Sequence, residues 1–339
     1  MTIEDALARV VSRQNLSEHE AQASMDCIMR GEATEAQIAG FLVGLRMKGE
    51  TSAEITGFAR AMRANYLPVP HSREDVVDTC GTGGDTLKTF NLSTAAAIVA
   101  AAAGVPVAKH GNRAFTSKCG SADVLEALGV NLNLNADQNA NMIDEVGLAF
   151  MFAPNHHPAM KHAAGPRREM RLRTVFNLVG PLTNPASATR QLIGVFAPAL
   201  VPKMATALRR LGCKRGVVAH GLLGLDEISP IGATRMAIID GKQVTEKVMQ
   251  AEEFGIEPPK LSEIACDNGV GHAAEMLRIS ITDPMSPQAS AVLPSAGAAI
   301  WLGDGAPTIV EGVELARSSI ASGAAGAKLA EFVSRSNEA

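Results

Sequence analysis

The segment Asp78-Thr79-Cys80-Gly81-Thr82-Gly83-Gly84-Asp85 closes an apolar run with a glycine-rich turn, and Asn91-Leu92-Ser93-Thr94 opens a helix shortly after it. Glycines let the backbone take positive φ and approach a ligand closely, and the free N–H groups of a helix start present donors to an anion. The chemistry this predicts is phosphate binding. The segment is neither the dinucleotide fingerprint Gly-x-Gly-x-x-Gly nor a P-loop, since no Gly-Lys-Ser/Thr closes it. Taken alone, it is also compatible with an ordinary turn followed by a helix cap.

A second polar stretch, Lys109-His110-Gly111-Asn112-Arg113-Ala114-Phe115-Thr116-Ser117-Lys118-Cys119-Gly120-Ser121, follows an apolar run ending at Ala108 and precedes a helix that begins near Ala122. It is expected to be a loop at a strand end, with Lys109, Arg113 and Lys118 as cations for a phosphorylated ligand. A solvated basic loop is the plainer alternative. Asp226-Glu227 stands just after the run Val217-Val218-Ala219 and the turn His220 to Gly224. Magnesium takes only one or two carboxylates when phosphate oxygens supply its other ligands, so this pair suffices beside a diphosphate. By itself, an Asp-Glu dipeptide is more often a solvated turn or helix cap. The cluster Asn155-His156-His157-Pro158 and Lys161-His162 lacks the helix-spaced His-Glu-x-x-His pattern, and no catalytic histidine is assigned.

These segments need elements to bring them together. From Val76 onward, short apolar runs at 76–80, 105–108, 148–152, 192–196 and 216–219 alternate with helical segments, which predicts an α/β fold with a mainly parallel sheet. Ligands of such sheets gather beyond the carboxyl ends of the strands, so the two polar loops are expected to share one crevice. Two runs separated by Asp240-Gly241 between Met236 and Val248 signal a hairpin, making the sheet mixed. The first 65 residues carry helical spacing through Ile38, Phe41, Leu42 and Leu45, with box-like starts at Ser17-x-x-Glu20 and Thr51-x-x-Glu54. The prolines of Leu67-Pro68-Val69-Pro70 break that pattern and mark a linker. Ile309 to Val333 is helical, interrupted near Gly323.

Composition narrows the class. With 339 residues and 46% hydrophobic content, the chain can bury a large core and favours two domains. The net charge of −4 and the aromatic content of 4% argue against a nucleic-acid or anionic-membrane partner. Five scattered cysteines without a Cys-x-x-Cys pair disfavour a disulfide framework or zinc site and fit a reducing cytoplasm. The start Met-Thr-Ile-Glu-Asp carries no signal-peptide pattern, and the apolar stretch Ser93 to Ala108 is too short to span a bilayer.

Five motifs in series, Gly81-Thr82-Gly83-Gly84-Asp85, Asn91-x-Ser93-Thr94, Lys109-His110-Gly111-Asn112-Arg113, Gly180-Pro181-Leu182-Thr183-Asn184-Pro185 and Gly224-Leu225-Asp226-Glu227, resemble the anthranilate phosphoribosyltransferases in order and spacing, over nearly the whole chain. The resemblance implies a nucleoside phosphorylase/phosphoribosyltransferase-like α/β fold: a small N-terminal helical domain, residues 1–68 joined by helices from about 165–190, plus a large α/β domain, residues 69–339, with a mainly parallel, mixed central sheet. It implies that Gly81, Gly84, Asp85, Thr89, Asn91, Leu92, Ser93, Thr94, Lys109, His110, Gly111, Asn112, Arg113, Ala114, Phe115, Thr116, Ser117 and Ser121 hold phosphoribosyl diphosphate. Gly81, Asn112 and Arg167 match positions that contact anthranilate, an arginine being the expected partner of its carboxylate, with Arg168 as a competitor. Ser93, Asp226 and Glu227 match magnesium ligands, so Mg2+ is the implied cofactor. A cytoplasmic homodimer in tryptophan biosynthesis follows from the same resemblance.

Two departures stand out: Leu223, where the family commonly has an acidic residue before Gly-Leu-Asp-Glu, and Pro294-Ser295, where it commonly has Leu-Asn. The first bears on the shape of the metal loop, the second on the following helix. The competing functions are a pyrimidine-nucleoside phosphorylase, which shares the architecture but uses inorganic phosphate, and a noncatalytic nucleic-acid-binding relative, which is expected to lack the glycine-rich and Lys-His-Gly-Asn-Arg motifs.

Overall fold

A computed structural model describes residues 1–84, 87–114 and 119–339. The chain begins with α1 (Ile3–Val11), α2 (Glu18–Met29), α3 (Glu35–Lys48) and α4 (Ser52–Ala64). Reciprocal capping boxes open all four, at the two expected starts, Ser17 with Glu20 and Thr51 with Glu54, and also at Thr2 with Asp5 and Thr34 with Gln37. The stripe Ile38, Phe41, Leu42 and Leu45 is buried, and Phe41 meets Phe58 edge to face at 6.0 Å. That core also takes in Val175, Phe176, Leu178, Val179 and Leu182 from far along the chain.

The linker is pinned by backbone bonds: Leu67 N–H donates to the His156 carbonyl at 2.8 Å and Val69 N–H to that of Pro185 at 3.0 Å. The α/β domain then runs through β1 (Val77–Asp78), α5 (Leu92–Ala102), β2 (Val107–Gly111), α6 (Ser121–Ala127), α7 (Ala136–Asn141), β3 (Leu148–Phe152) and α8 (Ala153–His156). After α9 (Lys161–Met170) and α10 (Val175–Val179) come β4 (Arg190–Gly194), α11 (Leu200–Arg210), β5 (Arg215–Gly221), β6 (Thr234–Asp240) and β7 (Gln243–Met249). The chain ends with α12 (Leu261–Ile264), α13 (Val270–Thr282), α14 (Pro287–Leu302), α15 (Ile309–Ala321) and α16 (Ala324–Glu338). The sheet order is β3-β2-β1-β4-β5-β6-β7, parallel from β3 to β5 and antiparallel from there on. The mixed sheet and the hairpin at Asp240-Gly241 are as expected.

Four strand bounds differ from the sequence expectation: β4 is Arg190–Gly194, not 192–196, and three others shift as follows. β1 is only Val77–Asp78, not 76–80, because the Thr79 carbonyl is taken by the Lys109 ammonium at 2.9 Å. β2 does not stop at Ala108 but continues through Lys109, His110 and Gly111, whose partners on β3 are Phe150, Met151 and Phe152. Those three residues are therefore strand, not loop. β5 runs on to Gly221, paired with Thr234. Pro294 lies inside α14 without ending it.

Because β1 lies between β2 and β4, the segments that leave β1 and β4 start side by side, in the crevice that forms where strand order reverses. The alanine-rich α5 is almost entirely buried in the large core. Among the described residues, no helix is long and apolar enough to cross a membrane.

Candidate active site

The glycine-rich turn is seated on the end of β4. Thr82 N–H donates to the Gly194 carbonyl at 2.9 Å, and Phe196 N–H donates back to Thr82 Oγ1 at 3.2 Å. Gly194 is approached from its other side by the loop after β5: a Cβ on Gly194 would lie 1.6 Å from the Asp226 carbonyl oxygen. A Cβ on Gly81 would in turn meet the Gly194 and Asp226 carbonyl oxygens at 3.2 and 3.6 Å. The turn and the Asp226-Glu227 segment thus converge on one residue, which the motifs do not include.

Lys109 supplies a buried cation beside them, only 3% exposed. Its Nζ donates to the Thr79 carbonyl at 2.9 Å, to Thr79 Oγ1 at 3.3 Å and to Ser93 Oγ at 3.3 Å, while Thr79 Oγ1 donates to the Ser93 carbonyl at 3.1 Å. These contacts tie β1, β2 and the first turn of α5 together. Behind them, Asp78 accepts from His110 N–H at 3.1 Å, and burial pushes its carboxyl up to about 6 despite the opposing Asn184, Lys109 and His110. The His110 and His157 rings meet through their Nε2 atoms at 3.2 Å. Burial first, then the neighbouring histidines, lowers both; His157 falls to about 4.

At the start of α5, Asn91 makes no side-chain cap and instead accepts from Cys119 Sγ at 3.7 Å. Leu92 turns its side chain into the core, and its N–H donates to the Phe90 carbonyl at 2.7 Å. Thr94 Oγ1 is buried without a hydrogen-bond partner among the described residues. Thr89 bridges Ala265, flanked by bonds from Phe90 N–H to the Ile264 carbonyl and from Cys266 N–H to the Lys88 carbonyl, a stitching that nothing in the sequence announces.

The second loop folds back on α6. Ala114 and Gly120 N–H both donate to Asp123, at 3.0 and 2.9 Å, and the Asn112 carbonyl accepts from Ala122 N–H and Ser121 Oγ. Arg113 spends its guanidinium on Asp123 and on both oxygens of Glu126, and lies over the Phe152 ring at 5.5 Å. Gly111 packs where a side chain would strike Ser121 Oγ and Phe150. Asp85, Phe115, Thr116 and Ser117 lie outside the described residues.

Magnesium fits the donor set. Burial raises the Cys80 thiol, with Asp78, Glu227 and Asp226 adding to that rise and Lys109 opposing it. Ser93, Asp226 and Glu227 offer only hard oxygen ligands. Two carboxylates and a hydroxyl suffice for a magnesium ion whose other ligands are phosphate oxygens and water. On α9, Arg167 lies over the Phe176 ring at 5.0 Å and burial lowers its pKa, whereas Arg168 is exposed.

A helical bundle joined to an α/β domain, with a glycine-rich turn at the strand-order reversal, is the two-domain architecture of the glycosyl transferase family. Residues 4–65 match the helical bundle domain of the glycosyl transferase family and residues 73–326 its a/b domain. The chain is 50% identical over 334 residues to an anthranilate phosphoribosyltransferase of Thioalkalivibrio sulfidiphilus, covering 98% of each. The crystal structure of the Thermus thermophilus anthranilate phosphoribosyltransferase superposes with a TM-score of 0.91 at 42% identity, covering 98% of this chain and 99% of that one. The Saccharomyces cerevisiae enzyme in complex with PRPP and Mg gives 0.89 at 26% identity, covering 99% and 98%. The chain belongs to the anthranilate phosphoribosyltransferase family.

Proposed function

We propose that the chain transfers the 5-phosphoribosyl group from phosphoribosyl diphosphate to anthranilate, releasing diphosphate and forming N-(5-phosphoribosyl)anthranilate for tryptophan biosynthesis. The observation that carries this is the convergence of the glycine-rich turn and Asp226 on Gly194, beside the buried Lys109. The backbone of residues 81–84 and the side chains of Asn91, Ser93 and Thr94 cradle the phosphates, with Lys109 as the fixed positive charge. Ser93, Asp226 and Glu227 hold magnesium. The chemistry a bound magnesium supplies is neutralisation of charge on the departing diphosphate.

Arg167 receives the anthranilate carboxylate, with Asn112 and Gly81 lining the approach to the sugar. An aromatic amine is a neutral nucleophile, so holding it in line matters more than a strong base. The low pKa values of His110 and His157 keep both rings neutral and suit an uncharged wall better than an acid. We assign residues 1–68, joined by residues 165–190, to the helical domain and 69–339 to the α/β domain; the core shared by α1 to α4 with Val175, Phe176 and Leu178 supports that division. The proposal includes a cytoplasmic homodimer. Five scattered cysteines without a Cys-x-x-Cys pair suit a reducing compartment, and the exposed Val11 and Met47 give α1 and α3 apolar surface for a second copy.

The deciding measurement is loss of anthranilate fluorescence with phosphoribosyl diphosphate and magnesium, run beside phosphorolysis of thymidine and uridine. Turnover of the first pair alone is expected, and it should fall on the order of 10²-fold in Glu227→Gln. Nucleoside cleavage without anthranilate consumption would overturn the proposal.

A further inference from the structure

The glycine-rich turn is held from behind by a side chain outside every motif that signals the site. Arg173 lies between α9 and α10, and its Nη2 donates to the Gly84 carbonyl at 2.5 Å. Its guanidinium also lies over the Phe196 ring at 5.0 Å. Gly84 has a φ of +94°, and a Cβ there would stand 2.5 Å from Arg173 Cζ, so the guanidinium fills the space that a side chain would need. The other half of the turn rests on the same support, through Thr82 Oγ1 and Phe196 N–H. The turn is therefore held at Thr82 by Phe196, just after β4, and at Gly84 by Arg173, which lies over the Phe196 ring.

Arg173 is itself anchored from the helical domain. Nη1 of Arg46, on α3, donates to the Arg173 carbonyl at 2.6 Å. A continuous path of hydrogen bonds thus runs from α3 through Arg173 to the backbone of the turn. A glycine turn left to itself samples several conformations, and a carbonyl free to swing toward a phosphate repels it. A guanidinium holding the Gly84 carbonyl fixes that oxygen, and the bond is charge-assisted, hence stronger than a neutral one.

We propose that Arg173 is a positioning residue that fixes the backbone of the phosphoribosyl diphosphate turn and links its geometry to the helical domain. The role rests on the function proposed above. Wild-type turnover of anthranilate with phosphoribosyl diphosphate tests that function first; the variants then test Arg173 alone.

Arg173→Met keeps the aliphatic stem and removes the donor. It is expected to raise KM for phosphoribosyl diphosphate roughly tenfold or more, the loss of one charge-assisted bond, while KM for anthranilate stays within about twofold. Arg46→Met, further from the turn, is expected to give a smaller rise in the same KM, and the double variant to be no worse than Arg173→Met alone. Arg173→Lys should recover part of the loss. Should Arg173→Met not fold, Arg173→Lys and Arg46→Met carry the same KM comparison. A lowered melting temperature with the phosphoribosyl diphosphate KM within about twofold of wild type, or strictly additive effects of Arg46 and Arg173, would overturn the proposal.

Discussion

The carbonyl oxygen of Asp226 occupies the space in which a side chain on Gly194 would stand, 1.6 Å from the position of its Cβ. No rotamer relieves such a contact, because the obstacle is backbone. Gly194→Ala must displace either the end of β4, with the Thr82 bond it carries, or the loop that presents Asp226 and Glu227. Misplacement of about 1 Å at a site of this kind costs on the order of 10²-fold in rate. The expected outcome is a loss of kcat/KM of that order in anthranilate turnover; near-normal kinetics would mean that the two segments move independently.

Arg167 and Arg168 are adjacent in sequence but differ in surroundings. Arg167 is half-buried over Phe176, and Arg168 is exposed. A desolvated guanidinium binds a carboxylate far better than a hydrated one. Arg167→Met is expected to raise KM for anthranilate roughly tenfold or more, and Arg168→Met to leave it within about twofold. Steady-state kinetics with each substrate varied in turn decides which arginine takes the carboxylate, and the opposite ranking would exchange the two roles.

Glu54 is a buried hub of the helical domain. Its carboxylate accepts from Lys48 Nζ at 2.8 Å, from Leu16 N–H at 2.9 Å and from Thr51 N–H at 2.8 Å, with both members of the ion pair almost wholly out of water. Removing one partner strands the other charge. Glu54→Ala is expected to cost about 3–5 kcal/mol in chemical denaturation, the usual penalty for an uncompensated buried charge. A cost under about 1 kcal/mol would place this pair with exposed ones.

The glycine-rich turn, the capping boxes of α2 and α4 and the Asp226-Glu227 pair are legible in the sequence because each depends on residues a few positions apart. The parallel core strands are legible for a related reason: short apolar runs at helical intervals leave few topologies. Gly194, Phe196 and Arg173 escape detection because their roles exist only once β1 lies beside β4, a pairing across more than a hundred residues that no local pattern encodes. Arg113 has partners that its motif does not announce. Its charge and its place in the motif suggest a phosphate ligand, yet Asp123 and Glu126, on the following helix, engage it. Lys109 to Gly111 look like loop residues because they are polar, and are strand because the ends of β2 and β3 keep pairing through Gly111 and Phe152.

The contact between His110 and His157 sets a pH dependence. Two Nε2 atoms 3.2 Å apart need one N–H and one bare nitrogen, so charging the accepting ring removes the bond. A histidine held at about 4 when folded, against an ordinary 6.5, binds fewer protons folded than unfolded between those values. Its contribution to stability is therefore complete above about pH 6.5 and drains away as pH falls toward 4. His110 and His156, also lowered, act in the same direction. Asp78 opposes them: raised to about 6 from 3.8, it gains stability as pH falls through that window. Glu50, also raised by burial, opposes them as well, so the test is the difference that one histidine makes. Denaturation midpoints between pH 7 and 4.5 should fall less steeply for His157→Gln than for the wild type, and parallel slopes would mean that His157 is not held neutral by its burial.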